Sequence, residues 1–363
     1  MPLPLCRRVG QVLIGSFTGR MVPVELTALA REFDLGGATL FARNVESPEQ
    51  VLEVAMAIEA LGTTAPAWVS VDQEGGRVAR LKTPFTVWPP AATLGRATAP
   101  DLADRFARAL ARELRAVGIT LDFAPVLDVL TNRSNPAIGD RSLSDDATRA
   151  AALGAAIISA MQGEGVAACG KHFPGHGDTS VDSHFELPIV EVSPDRLRAV
   201  EFVPFRAAIA AQVACVMTAH VVVPALDEAQ PATLSQTVIR LLRDELGHPG
   251  MVVSDDLEMQ AIGKRWTPAE AAVAAISAGC DSVLVCTGDV EVQASVLEAL
   301  VKAVETGVIP LARLDDAVAR VARQKARFLD GPRLGARQRT RALKQVVGCE
   351  AHQLVAAEMA AFA

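Results

Sequence analysis

The stretch GVAACGK at residues 165–171 is a short apolar run that ends in a charged residue. Seven further runs of similar length are rich in Val, Ile, Leu and Ala, and all of them are continuous rather than alternating. A strand of a parallel sheet is buried on both faces, so its sequence is a continuous apolar run. The eight runs lie at residues 11–17, 37–42, 67–72, 119–126, 165–171, 213–219, 250–255 and 281–286.

Segments with helical periodicity separate these runs, and several begin with Pro next to a polar residue, a signal for a helix N-terminus. Eight strands that alternate with helices predict an α/β fold, a single (β/α)8 barrel of the TIM type over residues 1–330. An open doubly wound sheet is the alternative. The barrel is favoured because eight strands close it and no change of composition divides this region. The helical segments include 47–61, 99–116, 146–163, 194–211 and 267–278.

The C-terminal part, residues 331–363, differs in composition from the rest of the chain. Five basic side chains occur within residues 332–344, and 345–363 has the pattern of an amphipathic helix. We expect a C-terminal helical tail that packs on or near the barrel, with the basic side chains facing solvent.

Composition excludes several classes of function. The chain has 363 residues and a net charge of −7, which argues against a nucleic-acid partner. No apolar stretch is long enough to span a membrane. Aromatic residues make up 4 % and Tyr is absent, which disfavours a long polysaccharide cleft. Six scattered cysteines without a Cys-x-x-Cys pair, and an N-terminus unlike a secretory signal, predict free thiols and a cytoplasmic location.

Charged and polar residues collect where the apolar runs end. In a TIM barrel the carboxyl ends of the strands meet at one mouth, so these side chains should converge on one pocket. Exposure to solvent could explain any one of these groups, but it does not explain all of them together. The groups are at residues 72–80, 135–141, 171–184, 220 and 254–256.

The stretch 171–184 is the richest, with three of the six histidines of the chain. Asp182 and His184 are two positions apart, and a carboxylate bonded to an imidazole raises its basicity and fixes its tautomer. Acid–base chemistry by this pair is one interpretation. A Zn or Mn site built from the histidines and aspartates is a second. A nucleotide-binding loop is a third, but His172 stands where the Walker A pattern needs Ser or Thr.

Asp255 and Asp256 follow the seventh run, and either could be the carboxylate that complements a proton donor in a glycosidase. Adjacent residues of a strand point to opposite faces. We therefore expect one of the two aspartates to face the barrel mouth and the other to turn away. Capping of the next helix is the alternative explanation for this pair.

Three motifs together resemble glycoside hydrolase family 3: KHFPGHGDTSVDSH at 171–184, VDQEGGRVAR at 71–80 and VSDDLEM at 253–259. Within the family they are similar to the bacterial β-N-acetylglucosaminidases (β-hexosaminidases) of peptidoglycan recycling. The resemblance extends from about residue 9 to 330. It implies that Asp255 is the nucleophile, with His184 as general acid/base and Asp182 as its partner. Positions similar to those that bind N-acetylglucosamine are Asp72, Arg80, Arg141, Lys171 and His172.

The resemblance implies retaining hydrolysis of terminal, non-reducing β-linked N-acetylglucosamine from muropeptides, small soluble carbohydrates, without a metal or cofactor. A monomer is favoured. The alternatives are substrate-assisted cleavage, a phosphorylase of the same fold, a non-catalytic sugar-binding protein and a metallohydrolase that uses the histidine cluster. An imidazole suits both steps of retaining hydrolysis because its ordinary pKa lies near the working pH.

Overall fold

The computed structural model describes residues 3–183, 185–330 and 343–363. Within them, the strands are β1 Leu13–Gly15, β2 Gly37–Leu40, β3 Trp68–Val71, β4 Gln73–Gly75, β5 Val78–Ala79, β6 Leu121–Asp122, β7 Ala167–Phe173, β8 Cys215–Thr218, β9 Met251–Asp256 and β10 Ser282–Leu284. Eight of these strands are parallel and close into a barrel in the order β1-β10-β9-β8-β7-β6-β3-β2, and β4 and β5 form a separate antiparallel hairpin.

The predicted barrel is confirmed, since each of the eight apolar runs overlaps one barrel strand. The runs are continuous because every strand has side chains inside the barrel and others under the helices. Phe123, Cys169, Met217 and Val253 belong to the apolar cluster inside the barrel. The hairpin of β4 and β5 was not predicted. Gly75 ends β4 and Gly76 begins the turn, and their φ values of 100° and 56° favour glycine.

Helices surround the barrel, and several begin where a side chain caps them. Ser47 accepts a hydrogen bond from the N–H of Gln50, and Thr267 forms a capping box with Glu270. The helices are α1 Leu5–Gly10, α2 Val24–Phe33, α3 Pro48–Glu59, α4 Ala92–Arg96, α5 Leu102–Ala116, α6 Ala147–Gly163, α7 Pro194–Arg196, α8 Phe202–Ala210, α9 Gln236–Arg240, α10 Gln260–Gly263, α11 Pro268–Ala278, α12 Val290–Glu305, α13 Leu311–Leu329 and α14 Glu350–Ala360.

Two barrel strands carry an extra residue relative to a neighbour. Between β9 and β10, Val253 pairs with Ser282 but Asp256 pairs with Leu284, so three steps along β9 match two along β10. Between β7 and β8, three steps from Gly170 to Phe173 match two along β8. Such a bulge breaks the alternation of side chains between the two faces of a strand.

The helix α14 packs against α5. Arg105 forms two hydrogen bonds with Glu358, both of 2.8 Å. The buried Glu113 carboxylate accepts the N–H of Gly348 at 3.0 Å and lies 2.9 Å from Nδ1 of His352. The predicted domain boundary at residue 331 stays a prediction, and most of the basic stretch falls in 331–342, outside the described residues.

None of the helices in the described ranges combines the length and the apolar character needed to cross a membrane.

Candidate active site

A cavity of about 290 Å³ lies at the C-terminal end of the barrel, where strand ends and the loops that follow them meet. Phe123 and Met217 supply apolar surface, and twelve of the twenty residues that line the cavity are polar or charged. The polar side chains that line it are Thr39, Asp72, Arg77, Arg80, Arg141, Lys171, His172, His176, Asp182, Ser183, Asp255 and Asp256.

Lys171 is fully buried and lies between two carboxylates. Its Nζ is 2.7 Å from Oδ1 of Asp72 and 2.6 Å from Oε1 of Glu74. Arg141 donates two hydrogen bonds of 2.8 Å to the same Glu74. Burial alone would raise the pKa of Glu74, but Arg141 and Lys171 hold it well below its usual range. Four charges of both signs are thereby fixed at one wall of the cavity.

Arg80 also belongs to this network and lines the cavity. One of its guanidinium nitrogens is 3.5 Å from Oδ2 of Asp72. The guanidinium carbon lies 5.6 Å from the centre of the Phe41 ring, and that of Arg43 lies 4.4 Å from the same ring. Asp72 is therefore bound by two cations, Lys171 and Arg80, while its carboxylate still faces the cavity.

The buried Asp128 carboxylate orients two histidines. Its Oδ2 lies 2.7 Å from Nδ1 of His172, and its Oδ1 accepts the backbone N–H of His176 at 2.7 Å. Burial alone would raise the pKa of Asp128, but His172 and His176 lower it below its ordinary value. Burial lowers the pKa of His176 to about 4, so this imidazole is neutral at neutral pH. Its ring is placed by Thr179 and Ser183.

Asp255 lies on β9 and lines the cavity. Burial alone would raise its pKa, but His220, His172 and the backbone N–H of Asp256 lower it below the ordinary value. That N–H donates to Oδ1 of Asp255 at 2.8 Å. A carboxylate held ionised in a buried cavity has the properties of a nucleophile.

Asp256 also lines the cavity, so the expectation that one of the two aspartates turns away is wrong. The reason is the bulge in β9, which removes strict alternation between Val253 and Asp256. His220 supports this strand end, with its Nε2 2.9 Å from the backbone oxygen of Asp256. Burial raises the pKa of Asp256 to about 7, and the carboxylates of Glu258 and Asp255 add to this effect.

Residues 8–324 match the family described as "Glycosyl hydrolase family 3 N terminal domain". The chain belongs to glycosyl hydrolase family 3. This confirms the resemblance carried by the three motifs, and the matched residues include the whole barrel and its cavity.

Relatives of this family 3 protein agree with that result. Beta-hexosaminidase A of Pseudoalteromonas piscicida is 35 % identical over 334 residues, which are 85 % of this chain but only 56 % of that relative. A family 3 beta-N-acetylglucosaminidase from Paenibacillus superposes with a TM-score of 0.89 at 41 % identity, over 95 % of this chain and 68 % of its own. NagZ from Neisseria gonorrhoeae, solved with N-trifluoroacetyl-D-glucosamine, superposes with a TM-score of 0.79 at 33 % identity, over 98 % of both chains. The chain is accordingly a glycoside hydrolase with β-N-acetylhexosaminidase activity.

The structure places seven of the eight predicted site residues of this family 3 hydrolase on the wall of one cavity. The eighth, His184, lies outside the described residues. The roles assigned to all eight stay predictions. The seven are Asp72, Arg80, Arg141, Lys171, His172, Asp182 and Asp255.

The loop that carries Asp182 is anchored to the loop after β6. Thr131 donates a 2.6 Å hydrogen bond to Oδ1 of Asp178, and Asn135 donates one of 2.7 Å to the backbone oxygen of His176. Gly177 packs so closely on Val129 that a Cβ there would lie 1.8 Å from its backbone oxygen. A glycine is thus required for the approach of the two loops.

Glu74 and Asp128 are site residues of this hydrolase that the sequence analysis did not single out. Glu74 stands inside the motif at 71–80, and Asp128 follows the fourth apolar run. In the sequence each is only a carboxylate near a strand end. The structure shows that Glu74 pairs with Lys171 and that Asp128 contacts His172. Among the described residues, no three His, Cys, Asp or Glu side chains come together as a metal ion would require.

Proposed function

We propose that this enzyme is a retaining exo-glycosidase that removes terminal, non-reducing β-linked N-acetylglucosamine from peptidoglycan fragments. Asp255 is the proposed nucleophile, and His184 with Asp182 is the proposed acid–base pair. Asp72, Arg80, Arg141, Lys171 and His172 are the proposed sugar-binding residues. The observation that carries the proposal is a carboxylate, Asp255, that its neighbours keep ionised in a buried cavity of polar walls.

The first step forms the glycosyl-enzyme. A carboxylate oxygen of Asp255 attacks the anomeric carbon while the bond to the leaving-group oxygen breaks. Protonated His184 gives its proton to that oxygen, so the aglycone departs as a neutral alcohol. Asp182 lines the cavity two positions earlier in the chain, and a carboxylate there would stabilise the imidazolium before the transfer.

The second step releases the sugar. Neutral His184 takes a proton from water as the water oxygen attacks the anomeric carbon, and the bond to Asp255 breaks. The carboxylate and the imidazolium are then restored. Two inversions at the same carbon leave the β configuration unchanged.

The sugar-binding wall suits a single polar ring. Asp72 presents a carboxylate that is already bound by two cations, so it accepts from sugar hydroxyls without a further change of charge. The cavity of about 290 Å³ is at the small end of ligand sites. Both features support an enzyme that removes one residue from a chain end.

Muropeptides in the cytoplasm are the proposed substrates and location. The motif at 171–184 resembles the branch of the family that acts in cell-wall recycling. All six cysteines of the chain lie in described residues and are free thiols, four of them buried, which is typical of a reducing compartment.

Hydrolysis of an aryl β-N-acetylglucosaminide, beside the corresponding glucoside, tests the proposal. We expect Asp255→Ala and His184→Ala each to lower kcat/KM by about 100-fold or more. Asp145→Ala is the matched control, since Asp145 is exposed and pairs only with the exposed Arg133 in the described contacts. Full activity of Asp255→Ala would remove the nucleophile from the proposal.

Three experiments distinguish the proposed mechanism from substrate-assisted cleavage, a phosphorylase and a metallohydrolase: covalent labelling, added phosphate and chelation. Incubation with a fluorinated N-acetylglucosamine analogue should place the label on Asp255, whereas substrate-assisted cleavage gives no labelled carboxylate. Added inorganic phosphate should leave the rate and the free-sugar product unchanged, which a phosphorylase would not do. Activity that persists after thorough chelation eliminates the metallohydrolase.

A further inference from the structure

Asp256 is the carboxyl group that the proposed mechanism leaves unused, although it lines the same cavity as the nucleophile. Its Oδ1 accepts two backbone hydrogen bonds, from Glu258 at 3.1 Å and from Cys286 at 3.2 Å. These bonds join the ends of β9 and β10 and fix the direction of the carboxyl group. One side chain is thus held rigidly between two strand ends.

The second oxygen of Asp256, Oδ2, is directed differently from Oδ1. Among the described residues no hydrogen-bond partner is found for it, and it is not one of the buried, unpaired atoms. Oδ2 is therefore not fully buried, and it belongs to a side chain that lines the cavity. A partly buried carboxyl group with an unpaired oxygen on a side chain that lines a cavity is typical of a ligand-binding group.

The proton of this carboxyl group belongs on Oδ2. Burial raises the pKa of Asp256 to about 7, so a large share of the molecules carry the acid form at neutral pH. Oδ1 accepts two N–H groups and its lone pairs are occupied, so the acid O–H must be at Oδ2. Asp256 thereby offers a hydrogen-bond donor to the cavity, next to the acceptor Asp255.

The position of the donor indicates which part of the sugar it meets. Asp255 must reach the anomeric carbon, whose ring neighbours are C2 and the ring oxygen. Only C2 carries a substituent, so the ring substituent nearest to a group beside Asp255 is the one on C2. In N-acetylglucosamine that substituent is the 2-acetamido group, whose carbonyl oxygen is the strongest neutral acceptor of the sugar. Glucose has only a hydroxyl at this position.

We propose that Asp256 donates a hydrogen bond from Oδ2 to the carbonyl oxygen of the 2-acetamido group, and so selects N-acetylglucosamine over glucose. This inference rests on the proposed function of Asp255. The bond has a second effect on the reaction. It draws electron density from the acetamido oxygen, which would otherwise compete with Asp255 for the anomeric carbon.

The test is the ratio of kcat/KM for an aryl β-N-acetylglucosaminide to that for the aryl β-glucoside. Asp256→Ala should lower this ratio about 10- to 100-fold, because a buried carbonyl then lacks its donor. Asp256→Asn should preserve it, because the amide oxygen can accept the two backbone N–H groups while its NH₂ replaces the acid O–H. A ratio unchanged in Asp256→Ala, or lowered equally in Asp256→Asn, overturns the inference.

The pH dependence of the same ratio tests the intact enzyme and does not depend on how the alanine variant folds. Asp255, Glu258, Arg43 and Cys286 are the ionisable groups that act on Asp256. Loss of its proton removes the donor, so the wild-type ratio should fall between about pH 6 and about pH 8. Ionisations shared by both substrates cancel in the ratio. The Asp256→Asn ratio should be flat, and a flat wild-type ratio overturns the inference.

Labelling with the fluorinated sugar distinguishes this result from failure of the proposed function. A label on Asp255 together with an unchanged ratio overturns the role of Asp256 alone. A label on another carboxylate, or no label, overturns the proposed nucleophile and the role of Asp256 with it. A disordered Asp256→Ala variant would show a lowered melting temperature, and the pH dependence of the wild-type ratio then decides between the two outcomes.

Discussion

Glu74→Gln is the substitution for which the structure gives the clearest expected loss in the free energy of unfolding. The Glu74 side chain is 3 % exposed and sits between Arg141, at 11 %, and Lys171, at 2 %. Glutamine preserves the shape of the side chain but removes the charge. Arg141 is then left in the interior without its bidentate partner, while Lys171 keeps Asp72 at 2.7 Å.

Breaking a buried ion pair from one side costs about 3–5 kcal/mol, because the remaining charge is no longer compensated. Since Lys171 retains a carboxylate and Arg141 also donates to the backbone oxygen of Ala137 at 3.0 Å, we expect the lower end, about 3 kcal/mol. The free energy of unfolding should fall by this amount at neutral pH. Urea unfolding followed by tryptophan fluorescence measures it, as a lower midpoint at unchanged slope.

The pH dependence of the free energy of unfolding independently tests whether the ionised Glu74 stabilises the folded protein. The pKa of Glu74 lies well below its usual range in the folded state, so its contribution is complete above the unfolded value of about 4.3. As the pH falls below that value toward the folded pKa, the contribution is lost. The difference between wild type and Glu74→Gln should therefore be largest near neutral pH and should shrink in acid.

Glu245→Gln is the control. Glu245 makes a similar pair of hydrogen bonds with Arg198, at 2.7 and 3.1 Å, but both side chains are more than one-third exposed. Exposed pairs contribute at most about 1 kcal/mol. If Glu74→Gln loses no more stability than Glu245→Gln, burial is not what gives the network its strength, and the reasoning is refuted.

Three further substitutions test the support of the site. Asp128→Asn removes the charge that holds His172 and should lower kcat/KM about 10- to 100-fold in steady-state assays. Gly177→Ala places a Cβ 1.8 Å from the backbone oxygen of Val129, so activity should fall sharply while urea unfolding changes less. Glu113→Ala removes an acceptor for the C-terminal segment and should speed its limited proteolysis, and an unchanged cleavage pattern would contradict that role.

The barrel could be predicted because a strand that is buried on both faces has a continuous apolar run in its sequence. The run at 165–171 overlaps β7, Ala167–Phe173, and the run at 281–286 contains β10, Ser282–Leu284. The hairpin of β4 and β5 gave no such signal, since its two strands have only three and two residues. The motif at 71–80 was interpreted for its charged residues Asp72 and Arg80. The turn that its two glycines favour was therefore not predicted.

The convergence of the site could be predicted as well, since every strand end of such a barrel opens on one mouth. The sequence could not predict which side chains face that mouth. Alternation assigns Asp255 and Asp256 to opposite faces, and it would do the same for Lys171 and His172. Both pairs line the cavity, and each lies at a bulge that depends on pairing with a neighbouring strand. The sequence pattern of a single strand does not show how that strand pairs with its neighbour, so it cannot predict a bulge.

The protonation of the two aspartates depends on the same geometry. Asp255 and Asp256 are adjacent in sequence and both are largely buried, yet the pKa of the first is lowered and that of the second is raised to about 7. Burial acts on both in the same direction. The difference arises because His220 and His172 act on Asp255, whereas Asp256 faces the carboxylate of Glu258. One strand end can therefore hold side by side two carboxyl groups whose pKa values are shifted in opposite directions, because their partners come from different strands.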